Sequence, residues 1–176
     1  IMGFGRIGQR VGALCRALGL RVAAFDPYME RSPVEGVEMV KDFRAILPET
    51  DFLCLHLPST PETRDLIGAG ELALLKRGAF VLNCARGGIV DEDVLCDALE
   101  SGHVGGAGLD VFAKEPPDTA HRLFRQEKVL LSPHNAALTE ECAIRMATQA
   151  VQNVLDCLDG KLQPRVVMNR REIGMA

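Results

Sequence analysis

The stretch GFGRIG, residues 3–8, decides how this chain folds. It matches GxGxxG, in which the first glycine permits a tight turn, the second lets a pyrophosphate approach the backbone and the third allows close helix packing. Helical periodicity follows from Ile7 to about Leu18, so Gly3, Gly5 and Gly8 with Arg6 and Ile7 form a loop feeding a helix N-terminus, whose positive dipole end favours phosphate. Eighteen residues beyond Gly8, at the end of the apolar run RVAAF, Asp26 stands where a carboxylate accepts hydrogen bonds from the adenosine ribose. Asp26 repels a 2′-phosphate, with Arg31 as a partial offset, so the expected cofactor is NAD in preference to NADP. The plainer readings are a glycine-rich turn and an Asp-Pro turn with Pro27.

Working outward, strand-like and helix-like segments alternate, the pattern of a parallel sheet flanked by helices. The reading places strands at Arg21–Phe25, Asp51–Leu57, Ala79–Leu82, Gly105–Val111 and Val129–Leu131. Helices fall at Ala69–Leu75, Asp91 to about Ser101, and Thr139 to about Leu158. Gly19, Gly102 and Gly160 follow helices, and Asp91 caps one with Glu92 and Asp93 in its first turn. The polar, proline-rich spans Asp26–Glu35 and Lys114–Arg122 read as loops beside a site. Ile1 and Met2 leave about two residues of strand before the glycine motif, where five or six are usual. The expectation is an α/β, three-layer Rossmann-type doubly wound parallel sheet, truncated at its first strand and belonging to a longer polypeptide. Residues 1–160 form the nucleotide-binding domain in this reading.

The 176 residues, 47% hydrophobic, suffice for one substantial core. A net charge of −4 gives no electrostatic reason to expect nucleic acid or an anionic membrane as partner. The six cysteines, Cys15, Cys54, Cys84, Cys96, Cys142 and Cys157, lie mostly in apolar segments without metal-site spacing, so no metal is expected and they read as buried free thiols. No apolar stretch approaches the ~20 residues of a membrane span, and a charged leader followed by a cleavable apolar region is not expected. A soluble cytoplasmic protein is the expectation.

Three polar residues stand just past strand-like runs: Arg86 after AFVLN, Glu115 after GGAGLDVF and His134 after KVLLSP. Open α/β sheets bind ligands outside the carboxyl ends of their strands, so a cation, a carboxylate and an imidazole are expected on one edge. Oxidising a secondary alcohol without a metal requires a general base, and His134 suits the task. Glu115 would fix its tautomer and favour its protonated form. Arg86, before the turn-forming pair Gly87 and Gly88, would hold a substrate carboxylate bidentately. Singly, each reads as an ordinary surface residue; His56 reads as structural. Together, downstream of a dinucleotide fingerprint, they point to NAD-linked redox chemistry.

These residues resemble the D-isomer-specific 2-hydroxyacid dehydrogenases, a family that includes D-3-phosphoglycerate dehydrogenase, glyoxylate and hydroxypyruvate reductases and D-lactate dehydrogenase. The likeness covers essentially the whole chain through GFGRIGQ, VAAFDPY, DFLCLHLPSTPETRDLI, LLKRGAFVLNCARGGIVDEDVL, GGAGLDVFAKEPP and LLSPHNAAL, with NCARGGIVDE the most specific block. It implies catalytic roles for Arg86, Glu115 and His134 on a small 2-hydroxy or 2-keto acid. It also implies cofactor contacts at Arg6, Ile7, Asp26, Leu57, Pro58, Cys84, Ala85 and Arg86, at Asp110 near the nicotinamide carboxamide, and at His134, Asn135, Ala136 and Ala137. In the family the nucleotide domain is inserted between two halves of a substrate domain, so 161–176, with VVMNRRE, reads as a return segment towards a domain outside this sequence. The resemblance further implies a homodimer.

Two neighbours of the family are separated by particular residues. Glu115 stands where formate dehydrogenases carry a different partner for the histidine. The C-terminal-binding-protein corepressors, NAD-sensing scaffolds, share the trio but typically carry a tryptophan after the histidine. This chain has no tryptophan and has Leu138 there, which favours the metabolic enzyme.

Overall fold

Short runs of β-branched and aliphatic residues, each ended by glycine, proline or a polar residue, become parallel strands. In the computed structural model, which describes residues 1–170 and 172–174, β1 (Val22–Ala24) pairs with β2 (Val37–Met39). β3 (Phe52–Leu55), β4 (Ala79–Asn83), β5 (Val104–Leu109) and β6 (Val129–Leu131) form a second parallel ladder in that order. Met2 joins the two, bridging Phe25 on one side and Leu55 on the other. Beyond those two bridges, a cavity of about 420 Å³ opens between the edges of β1 and β3, lined by residues that include Ile1, Cys15, Phe43 and Leu53. Where a short first strand was expected at Ile1 and Met2, the structure has no strand and only the isolated bridges of Met2. The order places the carboxyl ends of β3 to β6 side by side, which brings the loops after β4, β5 and β6 to one edge.

The chain divides into two compact units, Ile1–Ala136 and Ala137–Ala176. In the first, α1 (Arg6–Ala17) contacts β1 and β2, over a small core of Phe4, Val22, Ala24 and Val37. A larger core lies with α2 (Ala69–Leu74) and α3 (Glu92–Glu100), where Leu72, Leu95, Cys96 and Leu99 meet Leu53, Leu55, Val81 and Leu109. The alternate residues of the ladder, Phe52, Phe80, Leu82 and Leu130, remain exposed. Asp91 caps α3 by accepting from the N–H groups of Asp93 and Val94, both at 3.1 Å. Gly19 and Gly102 follow their helices with φ of 85° and 67°, a region costly for residues with a Cβ.

The second unit holds α4 (Glu140–Leu158), capped by Thr139, whose hydroxyl accepts from the Cys142 N–H at 3.2 Å. None of its residues is buried. In the tail Lys161–Ala176 a 3-10 turn spans Pro164–Val166; positions 171, 175 and 176, the first within VVMNRRE, lie outside the described residues. No helix among the described residues is long and apolar enough to cross a membrane.

Sequence reading did not identify β2, and 3-10 turns over Arg44–Glu49 and Arg122–Arg125 were likewise unmarked. The cysteine expectation needs correcting: all six are free, but only Cys96 is buried, while Cys84 and Cys157 are exposed. Cys84 stands on the turn past β4, and Cys157 is on the helix that buries nothing.

Candidate active site

The glycine loop is shaped by two close approaches that only glycine permits, at Gly3 and Gly8. Gly3 has φ 82°, and a Cβ there would meet the His56 carbonyl oxygen at 2.5 Å. A Cβ on Gly8 would overlap the Gly3 carbonyl, whereas one on Gly5 would meet nothing within 4 Å. Gly5 is the N-cap of α1 and brings no side chain to cap it, and the first turn carries no acid. The backbone N–H groups at this end therefore face open space as an anion site, with Arg6 and Ile7 exposed beside them.

Asp26 closes the loop from the other side. Its Oδ2 accepts from the Phe4 N–H at 2.9 Å and its Oδ1 from the Tyr28 N–H at 3.0 Å. Each oxygen keeps a second acceptor site, so the carboxylate shapes the loop, starts the turn after Pro27 and can still receive ribose hydroxyls. Leu57, buried, and Pro58, exposed, follow β3 next to Gly3. An open helix N-terminus, a carboxylate beside it and an absent Cβ at Gly5 fit a dinucleotide.

At the end of β4 the buried Asn83 organises Cys84, Ala85 and Arg86. Its Oδ1 accepts from the Ala85 N–H at 3.0 Å and its Nδ2 donates to the Arg86 carbonyl at 2.9 Å. Arg86 is exposed, and its Nη1 donates to the Ala85 carbonyl at 2.6 Å. Immediately after it, a Cβ on Gly87 would overlap the Phe112 carbonyl. The loops bearing Arg86 and Glu115 are thus in backbone contact.

Glu115 and His134 meet directly, with Oε2 and Nδ1 2.8 Å apart, and both side chains are part-exposed. Glu115 Oε1 accepts from the Phe112 N–H at 3.0 Å. The bond to His134, and then that from Phe112, hold its carboxyl below the usual range against the opposing effect of burial. His134 has φ 54°, unusual for a residue with a side chain. It is kept there by Asp110, 3% exposed, whose Oδ1 accepts from the Ser132 hydroxyl at 2.6 Å and the Asn135 N–H at 2.8 Å. Its Oδ2 accepts from the Ala136 N–H at 2.9 Å. Burial works to raise the Asp110 carboxyl, but these donors and His134 outweigh it and hold it low. A cleft of about 380 Å³ beside the pair is lined by apolar residues including Phe112, Phe124 and Leu131.

Of the trio expected on one edge, the structure pairs Glu115 with His134 and leaves Arg86 on the neighbouring loop. No hydrogen bond or ion pair among the described residues links Arg86 to the other two. Asp110, expected near the nicotinamide, spends three of its four acceptor sites on the His134 loop and retains one. Ser132 was not singled out from sequence; a polar residue ending an apolar strand was its only signal. Ala136 closes the first unit and Ala137 opens the second.

Known proteins resemble this chain along most of its length. The family model described as D-isomer specific 2-hydroxyacid dehydrogenase, NAD binding domain, matches residues 1–136. D-3-phosphoglycerate dehydrogenase from Methanocaldococcus jannaschii is 40% identical over 169 residues, 95% of this chain and 32% of that protein. Glyoxylate reductase from Aeropyrum pernix is 41% identical over 172 residues, 95% of this chain and 50% of that one. The chain therefore spans a third to a half of the length of these relatives. Among solved structures, a D-isomer specific 2-hydroxyacid dehydrogenase from Lactobacillus delbrueckii ssp. bulgaricus in its NAD-complexed form superposes with a TM-score of 0.85 at 31% identity, covering 96% of this chain and 55% of its own.

Proposed function

The chain belongs to the D-isomer specific 2-hydroxyacid dehydrogenase family, as its NAD-binding domain, and from that premise we propose that the protein interconverts a D-2-hydroxy acid and its 2-keto acid, with His134 as acid/base. The observation that carries this reading is the 2.8 Å contact between His134 Nδ1 and Glu115 Oε2. An ionised carboxylate only accepts, so Nδ1 carries the proton and Nε2 presents a free lone pair. Glu115, held below the usual carboxylate range, stays ionised through neutral pH and stabilises the imidazolium as it forms.

Bound NAD supplies the acceptor for the hydrogen that leaves C2 with its electron pair. His134 Nε2 takes the hydroxyl proton in oxidation and returns it to the carbonyl oxygen in reduction. Hydroxy acid and NAD+ thereby balance keto acid, NADH and one proton. Arg86 offers a guanidinium fork to the substrate carboxylate from an exposed turn beside the Glu115 loop. Asp26, next to the glycine loop, favours an unphosphorylated adenosine ribose.

The test assays the full-length protein, wild type and His134→Ala, for NADH oxidation with hydroxypyruvate, glyoxylate and pyruvate, and for NAD reduction with 3-phosphoglycerate. Loss of the general acid/base is expected to lower kcat by ~10²- to 10⁴-fold, with little change in NADH affinity. Undiminished turnover in the variant would remove His134 from the role. A wild type that binds NADH yet turns over no member of the panel would favour the scaffold reading.

A further inference from the structure

Next to Glu115, its loop is attached to α3 by a contact that the chemistry above does not use. Glu92, the first residue of that helix, accepts the Ala113 N–H on its Oε1 at 2.5 Å. The N-cap side chain of Asp91 already serves the N–H groups of Asp93 and Val94. Glu92 is thereby released from capping and reaches across to a backbone donor 21 residues away. The preceding donor, the Phe112 N–H, goes to Glu115 itself. Two consecutive loop amides therefore end on two carboxylates, one of them paired with His134.

We propose that Glu92 is a positioning residue for the Glu115–His134 pair, an inference that rests on the acid/base reading of His134. Further along, the same segment is tied to α3 by His121 with Asp93 at 3.2 Å, Arg122 with Glu100 at 3.0 Å and Gln126 with Glu100 at 2.8 Å. Those contacts, like that of Glu92, lie at the surface, and surface ion pairs contribute little to holding a geometry. The Glu92 contact differs because it holds the backbone itself and lies two residues from Glu115. Without it the exposed Ala113 N–H turns to water and the start of the loop is left on the Phe112–Glu115 bond. The competing account makes Glu92 only a negative charge at a helix N-terminus, a small stabilising effect without consequence for the pair.

The experiment compares wild type, Glu92→Ala and Glu92→Gln in the full-length protein with NADH. It measures backbone hydrogen exchange over residues 111–116, NADH affinity, and kcat and KM for the most active 2-keto acid. Glutamine keeps the acceptor oxygen and loses the charge. Glu92→Ala is expected to speed exchange at Ala113 and Phe112. A displacement of about 1 Å at reacting groups costs ~10²-fold, so kcat should fall by ~10- to 100-fold, with NADH affinity held within about twofold, well under the tenfold that 1.4 kcal/mol of binding energy represents. Glu92→Gln should retain protection and most of the turnover. Unchanged exchange in Glu92→Ala, wild-type kcat despite faster exchange, or a glutamine variant as impaired as alanine would each overturn the assignment. Exchange needs no turnover, so a wild type inactive on the whole panel would sink the proposed reaction while the exchange data still decided whether Glu92 holds the loop.

Discussion

Replacing Asp110 by asparagine tests whether the His134 loop is held by the carboxylate at its centre. Asp110 offers four acceptor sites, of which Ser132, Asn135 and Ala136 occupy three. Asparagine puts an NH2 in place of one oxygen. Set at Oδ2, it faces the Ala136 N–H, donor against donor. Set at Oδ1, it faces the Asn135 N–H, while the Ser132 hydroxyl can rotate to accept. Either way one backbone donor loses a charge-assisted bond of ~1.5–3 kcal/mol, and stranding it in a buried site adds ~1–3 kcal/mol. A loss of ~3 kcal/mol in stability at pH 7 is expected on those terms, together with a fall in kcat, because His134 is no longer kept at φ 54°. The pH dependence carries a definite sign. The folded-state value of Asp110 is depressed, so its contribution is fully present above the unfolded value of ~3.9 and is lost as pH falls through the folded value. Urea denaturation of the full-length protein at pH 7 and in acid, paired with kcat, reads both effects. A variant within ~0.5 kcal/mol of wild type at pH 7, the range of an unremarkable surface change, or a deficit that persists undiminished at low pH, would refute the reasoning.

Two further outcomes follow from the loop geometry. Gly87→Ala drives a Cβ into the Phe112 carbonyl and should cost ~1–3 kcal/mol as an overpacked site; a thermal unfolding curve coincident with wild type would show that the two loops are not in contact. Asp26→Ala strips an acceptor from the Phe4 and Tyr28 N–H groups and removes the carboxylate assigned to the ribose. Hydrogen bonds to a charged group are worth ~1.5–3 kcal/mol, so NADH affinity should weaken by ~10- to 100-fold and the preference over NADPH should narrow. An unchanged ratio of the two affinities would end the ribose assignment.

The elements that sequence located are those whose signal is periodic. α1, α3 and α4 fall within a residue or two of the expected limits, because apolar spacing and end punctuation act together. β2 has three residues, VEM, with a buried valine, an exposed glutamate and a partly buried methionine. It is too short to display alternation, and it exists because the edge of β1 offers it a ladder. Arg86 and the Glu115–His134 pair were placed on one edge by strand endings alone. Acid–base chemistry added the expected contact of Glu115 with His134, which the structure contains, but nothing in the sequence showed that Arg86 turns to its neighbour's carbonyl.

The two halves of the site were unequally legible because different parts of the chain build them. The nucleotide end is specified by what is missing: side chains are absent at Gly3, Gly5 and Gly8, and a glycine string is conspicuous in any sequence. The reacting end is specified by carboxylates that accept backbone N–H groups. Asp110 takes those of Asn135 and Ala136, Glu115 that of Phe112, and Glu92 that of Ala113. Loops beyond strand ends have no ladder to satisfy their amides, and a buried amide without an acceptor is costly. Acidic residues at those positions therefore look in sequence like ordinary polar loop or helix-start residues, although they set where His134 stands. Asp26 belongs to both halves, receiving the Phe4 N–H of the glycine loop, and for that reason its position could be read from the motif while its hold on the loop could not.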